Sequence, residues 1–209
     1  MTSQTTDTID LLAGIHAGSL LDRLRAQRPE TRLNAQKSYQ ALFEPAHQGD
    51  VTPRERFAVA VFVAGLHGAA EAGGFYASRL KEQAGGAALA VSVDGEVERG
   101  RTNGPYGHYP AGPLSGEDRP GLVYEVSNES RDALGPKLAA ALEHSHLLVF
   151  RPREASAAAL QKLLDAGWTT TGIVTLSQIV AFLAFQIRVV AGLRALAENA
   201  ANAGQAASA

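Results

Sequence analysis

The sequence predicts a mostly α-helical protein, and three observations carry that expectation. Two long segments are apolar on every face and open with helix-capping residues, which suits helices surrounded by protein rather than lying on a surface. Most other apolar residues recur at three- and four-residue spacing. Only the stretch at about 86–126 changes period, with alternating residues followed by a dense run of Gly and Pro.

Residues 2–6 are small and polar, and the last stretch lacks an apolar face, so tails 1–6 and 199–209 are expected to fray. Ile9, Leu12, Ile15, Leu20, Leu21 and Leu24 predict one or two short amphipathic helices broken near Gly14 and Gly18. Pro29 suits a first helical position, and the helix it opens carries Leu33, Tyr39, Leu42 and Phe43 to a stop at Pro45.

The sharpest local signal is Thr52-Pro53-Arg54-Glu55. This is a capping box with Pro at the first helical position, in which the Thr52 hydroxyl and the Glu55 carboxylate satisfy free amides reciprocally. The body that follows, 57–66, is apolar all round and predicts a central helix. His67-Gly68 loosens the chain, and a further helix from about 69 to 83 ends at Gly85-Gly86.

Residues 88–93, Asp94-Gly95 and Glu96-Val97-Glu98 then alternate around a two-residue turn signal and predict a small β-hairpin. The stretch 100–120 holds too many Gly and Pro for a regular element, and 122–126 suits a third short strand. The whole of 86–126 reads as an insertion in a single domain over 1–209. Helices resume at 133–142, 155–166 and about 171–198, the last opened by Thr169-Thr170-Thr171 and buried through Ile173, Leu176, Ile179, Leu183 and Ile187. The two buried helices start about 120 residues apart, a hint of internal duplication.

Composition narrows the function. The 209 residues, 45% apolar, can fill one core. Nineteen Lys and Arg against 21 Asp and Glu give a net charge of −2, which offers no basic footprint for nucleic acid. The absence of cysteine excludes disulfides, Cys-ligated zinc, iron–sulfur clusters and thiol chemistry. No apolar run is expected to reach the roughly 20 residues that span a bilayer. Asp7 and Asp10 stand where a secretory signal would carry positive charge. The expectation is a cytoplasmic protein with no membrane, nucleic-acid, cofactor or metal partner; His144 and His146 form a His-x-His pair with no evident third ligand.

The run Thr52-Pro53-Arg54-Glu55-Arg56, leading into an apolar helix and then Leu66-His67-Gly68, resembles the alkylhydroperoxidase AhpD and carboxymuconolactone decarboxylase superfamily. The stretch Leu163-Leu164-Asp165-Ala166-Gly167, then Ile173-Val174 and Val180-Ala181-Phe182-Leu183-Ala184-Phe185 on to Arg188, is similar to its peroxidase-related branch. Together these cover roughly half the chain. The resemblance implies an AhpD-like helical bundle and a homodimer or higher homo-oligomer built on apolar helix surfaces.

In redox-active members of that superfamily a Glu precedes Asn-Gly-Cys-x-x-Cys-x-x-x-His. On this chain the pattern puts Phe57 at the Glu, His67-Gly68 at Asn-Gly, Ala69 and Ala72 at the two Cys positions and Tyr76 at the His. A Cys pair in the first turn of a helix gains thiolate character and resolves a sulfenic acid as a disulfide, and Ala does neither. The resemblance therefore implies a divergent member without peroxidase chemistry.

The decarboxylase branch needs a general base, a general acid and a cation or amide for a substrate carboxylate. His67, Glu71 and Tyr76 are the candidate catalytic residues, with Glu55 nearby and Arg54, Arg56 or Arg188 for an anion. His67 and Glu71 lie four apart and share a face if the helix starts that early.

Each candidate also has a plainer structural reading. His67 can cap a helix end, Glu71 suits the first turn of a helix, Glu55 belongs to the capping box, and Tyr76 can be a core ring with a satisfied hydroxyl. The segment Gly104-Pro105-Tyr106-Gly107-His108-Tyr109-Pro110 suits a lid or an arm to a neighbouring subunit. Gln178 and Gln186 can line a cavity or clamp a neighbouring helix, and Trp168 reads as a packing anchor.

Two functions follow. One is acid–base chemistry on a small carboxylate or peroxide-related metabolite; the other is a non-catalytic, homo-oligomeric binding or assembly protein. An enzyme should gather His67, Glu71 or Tyr76 around a closed cavity, whereas a scaffold should turn them to solvent.

Overall fold

A computed structural model describes residues 7–206, with side chains to residue 203. The described residues fold into nine α-helices joined by turns and one long strap over 101–127, which makes the protein mostly α as the sequence predicts. In chain order these are α1 (Thr8–Ala13), α2 (Leu20–Ala26), α3 (Pro29–Phe43), α4 (Pro53–Leu66), α5 (Ala70–Lys81), α6 (Gly86–Gly100), α7 (Asn128–Phe150), α8 (Ala157–Asp165) and α9 (Thr170–Ala206).

α4 is the axle of the fold. Its start is the capping box: the Glu55 amide donates to Thr52 Oγ1, and the Thr52 amide donates to the Glu55 carboxylate at 2.8 Å. Ala58, Ala60, Phe62, Val63 and Ala64 are sealed from solvent on all sides, because α3, α5, α6, α7 and α9 surround this helix. Gly65 permits the closest approach. A Cβ there would stand 2.5 Å from Cγ1 of Val97, so α6 can lie against α4 only where the side chain is a hydrogen.

The predicted hairpin is not formed; residues 88–98 belong to α6. Asp94-Gly95 is a turn signal, but Leu89, Val93, Val97 and Gly100 recur at three- and four-residue spacing and face the core, while Asp94 and Gly95 lie exposed. Burial of the 3.6-residue stripe overrides the local preference for a turn. The third strand is not formed either. Residues 122–126 are extended and alternate, with Tyr124 and Val126 buried and Val123 and Glu125 outside, yet no strand pairs with them. The strap has a single isolated antiparallel bridge, between Gly107 and Arg119.

α7 is longer than the predicted 133–142 because two helices join across Gly135, which takes φ 77° and ψ 160° just before Pro136. α8 keeps to the expected span. α9 continues to Ala206 instead of ending near 198, so the C-terminal tail is helical as far as it is described; tail 1–6 and residues 207–209 lie outside the described residues.

The expectation of no long apolar run is also corrected. α9 is long and apolar enough, by length and composition, to cross a bilayer, and half of that apolar window is buried within the fold. It packs against α1, α3, α4 and α7, so much of its apolarity serves the core. Trp168, ahead of α9, is the anchor expected: it is buried, donates from its indole to the Lys137 carbonyl at 2.8 Å and carries the Lys137 ammonium over its ring.

Candidate functional site

His67 caps the C-terminal end of α4, and Gly68 then turns the chain at φ 65°, a left-handed conformation that costs glycine little. Ala69 is the N-cap of α5, and Ala72 lies buried in its first turn. Ala69 and Ala72 therefore mark a helix start lined with methyl groups. A shallow groove at this junction is bordered by Gly65, Ala69, Gly73 and Ala77.

The three candidate catalytic residues are not gathered in one cavity. Glu71 is exposed and pairs with Arg194 of α9; its own backbone amide, and then Arg194, hold the carboxyl below the usual carboxylate range. Tyr76 is fully buried, and its hydroxyl donates to Oε1 of Gln186 at 2.6 Å. Burial, reinforced by the neighbouring Tyr39, pushes that phenol well above its ordinary value, so it stays a neutral donor. The Phe57 ring stacks on Phe43 at 5.6 Å and Phe43 meets Tyr76 at 5.0 Å, so Phe57 and Tyr76 belong to one aromatic cluster.

His67 alone of the three borders a substantial cleft. This space of about 560 Å³ lies between the end of α7, the middle of α9 and the strap, with walls of Pro105, Leu148, Val180 and Ala184. Arg188 stands at its edge and forms no ion pair among the described residues; one of its N–H groups donates to the Ala184 carbonyl. The His67 ring makes no hydrogen bond with the described residues, and its Nε2 is buried and unpartnered. Burial, and then the Arg188 charge, lower the imidazole pKa, so near neutral pH the ring is an uncharged base. An apolar cleft with one base and one unpaired guanidinium suits a ligand that has an apolar body and a carboxylate.

The other singled-out residues have structural duties. Arg56 is buried and donates to the carbonyls of Val51, Leu42 and Gln48, which removes it as an anion receptor, and Arg54 is exposed. Glu55 completes the capping box and pairs with Lys137 at 2.9 Å. His146 is fully buried, stacked on Tyr124 and bonded through Nε2 to the Gly100 carbonyl at 2.9 Å. His144, two residues away, borders a different cleft, so the pair does not converge on a metal. Among the described residues no cluster of His, Asp and Glu has metal-binding spacing. Gln178 is exposed, whereas Gln186 clamps α5 through Tyr76.

The segment 104–110 is tied down as part of the strap. Tyr106 stacks on Phe150 with the planes 5° apart, its amide donates to the Phe150 carbonyl at 2.9 Å, and Pro105 walls the His67 cleft.

Sequence reasoning missed two features. Glu96, fully buried on α6, accepts from the Tyr124 hydroxyl and from Ser127 Oγ, each at 2.6 Å, and so fixes the end of the strap. Asp10 binds Arg25 and Arg32, which draws α1, α2 and α3 together. An acid at a buried register position of α6 would have revealed the first, had the segment been read as helix. No family model, curated protein or solved structure matches the chain.

Proposed function

We propose that the protein is a divergent member of the AhpD-like and carboxymuconolactone decarboxylase superfamily that has no thiol chemistry and takes a small carboxylate into the His67 and Arg188 cleft for acid–base chemistry. The observation that carries this reading is the unpartnered, neutral His67 ring beside an apolar cleft with an unpaired guanidinium. Support for the family comes from the capped central helix followed at once by the α4–α5 junction, with Ala69 and Ala72 in the first turn of α5.

In this reading Arg188 holds the substrate carboxylate, and the apolar walls exclude water from the rest of the molecule. His67 accepts a proton from a carbon next to a carbonyl and returns it at the other end of the rearranged bond system. Glu71 and Tyr76 act on stability rather than on substrate.

The test is incubation with small unsaturated carboxylates and lactones in heavy water, following deuterium entering the substrate by NMR. Exchange should occur and be lost in His67→Ala. Peroxide consumption driven by dithiothreitol should be absent, and a robust peroxidase rate abolished by His67→Ala would overturn the reading.

A second reading, self-assembly without turnover, is favoured by the outer face of α9. Val174, Ala181 and Phe185 share one side of that helix and are exposed. A homodimer or larger assembly through this face should appear in sedimentation as a multiple of 21.9 kDa that Phe185→Glu reduces to the single chain.

A further inference from the structure

A second cleft, of about 280 Å³, lies where the start of α8 meets α7 and the strap, and it shares no wall with the His67 cleft. Its floor is apolar, formed by Ala140, Leu147 and Leu163. Above that floor the groups differ in how far their bonding is complete. Glu143 is paired with Arg131 and accepts the Val126 amide, and Glu154 is paired with Arg151 and His108. Both carboxylates already have cations.

Other donor atoms on the same walls have no acceptor. His144 is 6% exposed, faces this space and makes no hydrogen bond with the described residues. Arg151 is 9% exposed, and its Nε is buried without a partner. Lys162 forms no ion pair among the described residues. Ser156 caps α8 by accepting the Ala159 amide, so the Ala158 amide, in the first turn, has no acceptor within the helix. Two buried side chains with unmet donors, His144 and Arg151, and two exposed donors, Lys162 and the Ala158 amide, border one hollow at a helix start, an arrangement suited to an oxyanion.

The remaining charge decides which oxyanion. Glu125, exposed on the strap, borders the same hollow and has no ion pair among the described residues, and it repels a dianion more than a monoanion. The apolar floor adds a reason for a carbon body, and the volume sits at the lower edge of the roughly 300–1,000 Å³ usual for ligand pockets. We propose that this cleft is a second binding site, for a compact monocarboxylic acid, whose carboxylate lies on the first turn of α8 between Lys162 and His144 and whose carbon body lies on Leu147 and Leu163.

The experiment is NMR of the histidine ring carbons of the full chain, titrated with butyrate, benzoate and inorganic phosphate. Butyrate and benzoate should shift the His144 resonance saturably. Lys162→Gln, a change at an exposed side chain, should weaken both roughly tenfold, the loss of one charged hydrogen bond, while Arg188→Gln at the other cleft leaves both unchanged. A His144 signal that neither acid moves, or binding indifferent to Lys162→Gln, would overturn the proposal. Tighter binding of phosphate than of either acid would also overturn it, by assigning the hollow to an inorganic oxyanion.

Discussion

The hydroxyl of Tyr76 donates to Oε1 of Gln186 at 2.6 Å inside the core, joining α5 to α9 across 110 residues of sequence. Nε2 of Gln186 is buried without a partner, so the pair is only half satisfied and depends on this bond. Tyr76→Phe strands the remaining amide oxygen and should cost about 1–3 kcal/mol in urea unfolding. Pairing it with Gln186→Leu should recover most of that loss, since both polar partners are then gone; a double variant less stable than either single one contradicts the account.

Glu96 holds the strap to the core. Burial alone would raise its pKa, but the hydrogen bonds from Ser127 and Tyr124 outweigh burial and leave the carboxyl below its ordinary 4.5. A depressed carboxyl stabilises the fold above the unfolded value and loses that contribution as pH falls through the folded one. Glu96→Gln should therefore lower stability by about 1–3 kcal/mol at pH 7, and the difference from wild type should shrink below pH 4.5. Melting temperatures from pH 7 to pH 3 check both parts.

His146 adds a second loss of stability on acidification, at higher pH. Burial lowers its pKa to about 4, against an ordinary 6.5, although the Gly100 bond works the other way. The unfolded chain then binds more protons between these values, so stability falls as pH drops from 6.5 to 4, by up to about 1.4 kcal/mol per unit for this one group. Ring-carbon NMR should find His146 neutral at pH 5.5, and a midpoint near 6.5 would refute the burial argument.

Gly65 should not tolerate a methyl group. Val97 is branched at Cβ and stiff, so Gly65→Ala forces α6 away from α4 and should cost about 1–3 kcal/mol. Gly65→Ala with Val97→Ala should be more stable than Gly65→Ala alone, as measured by thermal unfolding.

Elements governed by a local physical rule were legible in the sequence: the Thr52 capping box, the all-apolar body of α4 and the Pro29 start of α3. The 86–100 segment was not, because Asp94-Gly95 signals a turn that only the buried stripe of Leu89, Val93 and Val97 overrides, and burial depends on α4 and α7 being in place. The site was legible in part. His67 sits at a helix break, and Arg188 was one of three arginines, with Arg54 and Arg56, that the sequence offered for an anion. That Tyr76 would be sealed on Gln186, and Glu71 drawn outward by Arg194, depended on partners over 100 residues away that spacing cannot reveal.

The most direct measurement is calorimetric titration of phenylpropionate, an acid with an apolar ring, into the wild type and the Arg188→Gln, His67→Ala and Lys162→Gln variants. With the second cleft weakened by Lys162→Gln, saturable binding that remains, and that adding Arg188→Gln weakens roughly tenfold or more, is the result expected. No binding, or an affinity that Arg188→Gln does not change, would contradict the assignment of that cleft to a carboxylate.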